Sequence, residues 1–196
     1  SRSQAFLWIG AALILAFGYG VWMNEFVALD DGLLITKNVA VKALNFRTVF
    51  KVFTSYDPEL YIPFTFLTYQ ITHFFFGLNP IPYHAGNLLL HFLSVIGVYL
   101  ILERLTKNQW IVFFSALIFA LHPMQTEAVR WAAARKDVLA SCFGIFSLLC
   151  AIRASDGEKK WGWTASTILF ACALLSKVSV ITLPFVFLAI EWWRGR

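Results

Sequence analysis

Adjacent carboxylates at a membrane surface are the first residues that could do chemistry. Asp30 and Asp31, followed by Gly32, come shortly after an apolar run, Phe6 to Trp22, that is long enough to cross a bilayer. An acid at the mouth of a membrane bundle is costly to desolvate unless it has a partner, a metal or a catalytic task. Two readings stay open. Asp30 and Asp31 cap a loop or pair in water with Lys37 and Lys42, or they carry the chemistry. A second group is Arg135, Lys136 and Asp137, with Glu127, Arg130 and Ser141 near the Asp137 face if the segment is helical. Lys177, with Ser176, is the polar interruption of the apolar stretch Trp161 to Trp193. Finally, His84, Asn87, His91 and Ser94 share one helical face. Two histidines a heptad apart suit metal ligation, although hydrogen bonding between helices is the commoner use.

These side chains need a scaffold, and the composition says which kind. The chain is 59% hydrophobic and 14% charged, which excludes an ordinary soluble domain. The formal charge of +5 is scattered through polar links, so nucleic-acid binding has no support. Cys142, Cys150 and Cys172 lie inside apolar runs without metal-ligand spacing and read as buried membrane thiols. The first run has only Arg2 before it and lacks the small-residue cleavage site of a signal peptide, so it is expected to stay as an anchor.

After that run, residues 22–80 read as an outer loop. Within it Phe46, Val49, Phe50 and Phe53 recur at helical spacing, with Arg47 and Lys51 on other faces, which predicts a short helix lying on the membrane surface. Asn45 is its candidate N-cap, and Ser55 to Pro58 ends it. A second helix is predicted from Pro63 to Phe76, stopped by Gly77 to Pro80, with Thr65, Thr68, Tyr69 and Thr72 on one stripe. It is short for a span and reads as re-entrant or interfacial. Spans are then expected over Tyr83 to Leu102 and Trp110 to Leu121. A continuous helix from Thr126 to Ile152 follows, of which Val138 to Ile152 lies in the membrane. Trp161 to Trp193 is too long for one span and forms a hairpin. Its arms are short, which places Lys177 in a hollow or lets it snorkel to the headgroups.

The fold class expected is therefore all-α: a polytopic membrane bundle of about six transmembrane helices, with two juxtamembrane helices in the first outer loop. Alternation puts both termini on the side carrying Arg104, Lys107, Arg153, Lys159, Lys160, Arg194 and Arg196, which reads as cytoplasmic. Arg130, Arg135, Lys136 and Lys177 then lie on the outer side with Asp30, Asp31 and Asp137, against the positive-inside tendency. Such a cluster suits an anionic ligand, and a lipid-linked phosphate fits; the alternative is a self-neutralising structural network.

A family resemblance runs through seven blocks in order. They are Asp30-Asp31 with Thr36-Lys37-Asn38, Pro63-Phe64-Thr65, Phe76 to Pro80, Tyr83-His84 with Asn87 to His91, Leu121-His122-Pro123 with Thr126 to Val129, Arg135 to Leu139, and Leu175-Ser176-Lys177 with Leu183-Pro184. Together they resemble the membrane half of the bacterial relatives of the TMTC protein O-mannosyltransferases. These belong to the GT-C superfamily of glycosyltransferases and often carry tetratricopeptide repeats. The resemblance implies transfer of a mannose-like sugar from a polyprenyl-phosphate donor to an acceptor hydroxyl, on a protein or glycan, outside the cytoplasm. In a bacterium that is the periplasmic face of the inner membrane.

By the same resemblance Asp30, Asp31 and Asp137 would be the catalytic acids. Arg135, Lys136 and Lys177 would meet the donor phosphate, with Glu127, Arg130, His84 and His91 as supporting polar residues. It implies no firm cofactor, and a divalent metal stays open. Family members have further spans, so residues 1–196 are expected to be the N-terminal, single integral membrane domain of a longer protein. The competing reading is a non-catalytic GT-C-derived subunit that scaffolds a larger membrane complex. Membrane lipids are partners on either reading, other membrane subunits on the second; a transporter is disfavoured by the lack of internal repeats.

Overall fold

The computed structural model describes residues 8–10, 25–27, 30–56, 60–158 and 161–196. The expected first span, Phe6 to Trp22, falls almost wholly outside them, as do Lys159 and Lys160. All regular structure in the described residues is helical. A π-helical turn, Gly32–Thr36, follows the acidic pair, and then come α1 (Phe46–Thr54), α2 (Pro63–Phe76), α3 (Pro80–Leu105), α4 (Gln109–Leu121), α5 (Gln125–Arg130), α6 (Arg135–Ser155), α7 (Gly162–Leu174) and α8 (Leu183–Trp193). Short 3-10 turns, Ala132–Ala134 and Val178–Thr182, precede α6 and α8.

The two loop helices have the bounds that the sequence predicts. Asn45 caps α1 through a reciprocal capping box with Thr48, its side chain accepting from the Thr48 N–H at 3.0 Å. The apolar face of α1 is divided, however. Val52 is buried and Phe53 packs on the core, while Phe46 and Phe50 stack on each other in the open. Pro63 opens α2, and Gly77, at φ 60°, ends it in a conformation that suits glycine.

Only α3 and the continuous stretch Ala132–Ser155 are long and apolar enough to cross a membrane, among the described residues. Those two are the spans that length and composition support among the described residues, out of the about six transmembrane helices expected. Gln109–Leu121, Gly162–Leu174 and Val178–Trp193 are apolar but shorter. At 13 residues, α4 and α7 reach about 20 Å each, against a hydrocarbon core of about 30 Å.

A second correction concerns the helix expected from Thr126 to Ile152. It is broken at Trp131, whose backbone is extended (φ −101°, ψ 121°), so α5 and α6 are separate. No glycine or proline causes the break. The backbone groups it frees are instead taken up by three other elements: the Asn87 amide donates to the Trp131 carbonyl at 2.8 Å, the Tyr69 hydroxyl to the Ala132 carbonyl at 3.0 Å, and the Ala133 N–H to Asp31 at 2.7 Å. These bonds offset the lost helical ones.

Around α6 pack α7, α3 and α8. The polar stripe His84, Asn87, His91 and Ser94 is buried, as expected of polar groups that lipid cannot satisfy. The far end is held by an ionic network: Arg104, Arg194 and Arg196 all bond Asp156, while Glu158 takes Arg104 at 2.7 Å and Arg153 at 3.0 Å. These residues join the C-terminal ends of α3, α6 and α8.

Candidate functional site

At the N-terminal end of α6 the candidate residues separate into two kinds. Asp31 is fully buried; its two carboxylate oxygens accept the N–H groups of Ala133 (2.7 Å) and Val27 (2.9 Å). Burial pushes its carboxyl above the ordinary 3.8, and those two hydrogen bonds pull it partly back. Asp30, one residue earlier, points the other way. Its side chain is 47% exposed, and Oδ2 lies 3.6 Å from the Nζ of Lys136.

Arg135 and Lys136 diverge in the same manner. The Arg135 side chain turns inward and is 3% exposed. Its Nε donates to Asn87 Oδ1 (3.0 Å), Nη1 to Thr72 Oγ1 (2.8 Å) and Nη2 to the Tyr83 carbonyl (2.7 Å). The guanidinium also lies over the rings of Tyr69 and Tyr83, 5.1 and 5.4 Å from their centroids. Room for it comes from Gly86, where an added Cβ would stand 2.9 Å from Nη2. Where the resemblance put Arg135 at the donor phosphate, the structure gives each of its three nitrogens a partner inside the protein.

Asp137 faces a cavity of about 590 Å³ and forms an ion pair with Lys177 on its rim. Both side chains are about one-third exposed, so the pair is open to a ligand. His91, Ser94, Glu127 and Ser141 also line this cavity, and Phe119, Val138, Ile145, Val180, Leu183 and Val186 supply apolar wall. Lys177, expected either in a hollow or at the headgroups, lines this cavity. His91 is anchored as well: its Nε2 donates to the Ala120 carbonyl at 3.0 Å. Glu127 reaches a second, smaller recess of about 280 Å³ that is shared with Glu25, Arg130 and Trp131. His84 is buried and lines neither recess. Among the described residues, no three His, Cys, Asp or Glu side chains come together to hold a metal ion.

The hairpin turn that carries Lys177 is itself docked. The Phe64 N–H donates to the Leu175 carbonyl at 3.2 Å, and Thr65 Oγ1 to the Ser176 carbonyl at 3.1 Å. The N-terminus of α2 thereby fixes the residue before Lys177. Sequence reasoning had grouped Thr65, Thr68, Tyr69 and Thr72 as a stripe without a task. It missed that the stripe serves two places, the Ser176 turn and Arg135.

Two carboxylate–lysine pairs are thus present, Asp30–Lys136, which does not line the cavity, and Asp137–Lys177, which does, while Asp31 and Arg135 are bonded within the protein. A carboxylate that water can reach is able to accept a hydroxyl proton, and paired lysines can stabilise an oxyanion.

Residues 60–196 match the family model described as dolichyl-phosphate-mannose-protein mannosyltransferase. The chain is similar to the mouse protein O-mannosyl-transferase TMTC2 (38% identity over 129 residues), to human TMTC1 (35% over 133) and to the Drosophila melanogaster Tmtc1 protein (32% over 121). These matches cover 61–62% of this chain and 14–15% of the relatives. The chain therefore spans about 15% of the length of the curated relatives it matches. No solved structure matches it.

Proposed function

Because the chain belongs to the dolichyl-phosphate-mannose-protein mannosyltransferase family, we propose that it forms part of a GT-C enzyme that moves mannose from a polyprenyl-phosphate donor to a protein serine or threonine hydroxyl. The transfer takes place on the non-cytoplasmic side of the membrane, which in a bacterial cell is the periplasmic face of the inner membrane. The single observation that carries this reading is the partly exposed Lys177–Asp137 pair on a cavity lined by both polar and apolar side chains. A lipid-linked sugar phosphate has the same two characters.

In this reading Asp30 takes the proton of the acceptor hydroxyl as its oxygen attacks C1 of the sugar. The C1–O bond to phosphate breaks, and its electron pair leaves on the phosphate oxygen. Lys177, with Lys136 in support, stabilises the charge that develops there. Asp137 holds Lys177 extended before the donor arrives. Asp31 stays behind the site and anchors the acidic loop to the break before α6. Residues 22–80 then form the outer loop, and the remaining spans come from the longer protein.

The competing scaffold reading predicts no chemistry. Mass spectrometry of glycopeptides separates the two: deleting the full-length gene should remove O-mannosyl serine or threonine peptides, wild type should restore them, and Asp30→Asn should not. Unchanged O-mannosylation after deletion would favour the scaffold.

A further inference from the structure

Arg135 is buried, cationic, and two residues from an acid on the cavity rim, yet none of its nitrogens points to the cavity. Its hydrogen bonds instead trace a closed ring. Nη1 holds Thr72 on α2, and that helix runs back to its start, where Phe64 and Thr65 hold the carbonyls of Leu175 and Ser176. Ser176 precedes Lys177, and Lys177 pairs with Asp137, which stands on the same first turn of α6 as Arg135. Each link is a hydrogen bond or an ion pair, and α2 is the rigid member between them.

Building on the reading that Lys177 meets the donor phosphate, we infer that Arg135 is a positioning residue: through α2 it sets where Lys177 stands relative to Asp137, and it does not touch the donor itself. Two further features support this. A guanidinium taken out of water needs its donors satisfied and its charge offset, and here Asn87, Tyr83 and the faces of two tyrosines do that with neutral groups. Gly86 leaves the space that Nη2 occupies, so the pocket is shaped for this one side chain. A lysine could not replace the three-way fork, because its ammonium lacks the planar geometry that reaches α2 and α3 at once.

The test uses the full-length protein in proteoliposomes and compares wild type, Arg135→Gln, Gly86→Ala and Thr65→Val. Thr65→Val removes only the link from α2 to the Ser176 carbonyl, and it keeps the inference testable should Arg135→Gln fail to fold. Two quantities are read: kcat and donor KM with polyprenyl-phosphate mannose, and the rate at which an amine-specific reagent labels Lys177 without donor, by peptide mass spectrometry. Misplacing a positioned group by a fraction of an ångström to 1 Å costs up to about 100-fold in rate. The inference expects kcat to fall at least about tenfold in Arg135→Gln and about threefold in Thr65→Val, with donor KM little changed. It also expects faster Lys177 labelling in both variants, because the pair is loosened. In the double variant Gly86→Ala/Arg135→Gln, compared as well, the Ala should add little to Arg135→Gln, since the clash partner is gone.

A donor KM raised tenfold or more in Arg135→Gln, with Thr65→Val like wild type, would mean that Arg135 binds the donor and would overturn the inference. Lys177 labelling unchanged in every variant would also overturn it. If wild type transferred no sugar while the labelling changes appeared as expected, the positioning role would stand and the proposed donor chemistry would fail.

Discussion

At the residue scale the neighbouring pairs divide their work. Asp30 is about half exposed and pairs with a largely covered Lys136, while Asp31 and Arg135, next to them in sequence, turn inward and are used up by the protein. The sequence offered no order between Asp30 and Asp31; Asp31 is buried and Asp30 is not, so Asp30 is the base we propose. Asp30→Asn should lower turnover by about 10² to 10⁴ and leave thermal stability unchanged, as removal of a general base would. Asp31→Asn should behave in the opposite way. An amide cannot offer oxygens to both the Val27 and Ala133 N–H groups, and leaving one unpaired costs about 1–3 kcal/mol. Its pH dependence is a further check. Burial raises the folded-state value of Asp31 above the ordinary 3.8, so its contribution to stability is fully present below that value and is lost as pH rises through the raised one. Wild type should therefore gain stability over Asp31→Asn on acidification, read as a widening difference in Tm between about pH 7 and about pH 4.

At the element scale, the break at Trp131 organises the site, and it was not legible beforehand. The run Trp131-Ala132-Ala133-Ala134 has strong local helix preference, and only contacts from Asp31, Tyr69 and Asn87, far apart in sequence, overrule it. Elements with local signals were read well. Asn45, Pro63 and Gly77 mark helix ends by their own chemistry, and the buried stripe on α3 follows from spacing. For the same reason the charged residues were found but not all given the right surroundings. The resemblance implied Arg135 at the donor phosphate, whereas its side chain is buried and bonded within the protein, because a 100° step along a helix sends adjacent side chains to different faces. The break makes a prediction of its own. Asn87 both donates to the Trp131 carbonyl and accepts from Arg135 Nε. Asn87→Leu should leave both unpaired and lower stability by about 2–4 kcal/mol, with a fall in Tm in detergent as the measurement. Asn45→Ala, at the exposed α1 cap, should cost only about 1 kcal/mol and leave transfer unchanged.

At the scale of the whole molecule, α6 carries the candidate chemistry at its start and the ionic network at its end. The two ends are separated by 21 residues, or about 30 Å, which is close to the thickness of the membrane core. The network end is expected to act in stability alone. Burial pushes the Asp156 carboxyl up, but the bonds from Arg194, Arg196 and Arg104 outweigh it and hold the group below the ordinary 3.8. Its contribution is thus present above that value and lost as pH falls through the lowered one. Asp156→Asn should lower stability by about 2 kcal/mol at neutral pH and by much less in strong acid, with mannosyl transfer per folded molecule unchanged.

The most direct test of the central claim is transfer by the full-length protein in proteoliposomes, from polyprenyl-phosphate mannose to a serine- and threonine-rich peptide, with wild type, Asp30→Asn and Lys177→Gln side by side. The claim predicts mannosyl peptide from wild type, a turnover about 10² to 10⁴ lower for Asp30→Asn, and a lowered kcat with donor KM little changed for Lys177→Gln, all with unchanged expression. Equal transfer by all three proteins, or none by wild type, would contradict it.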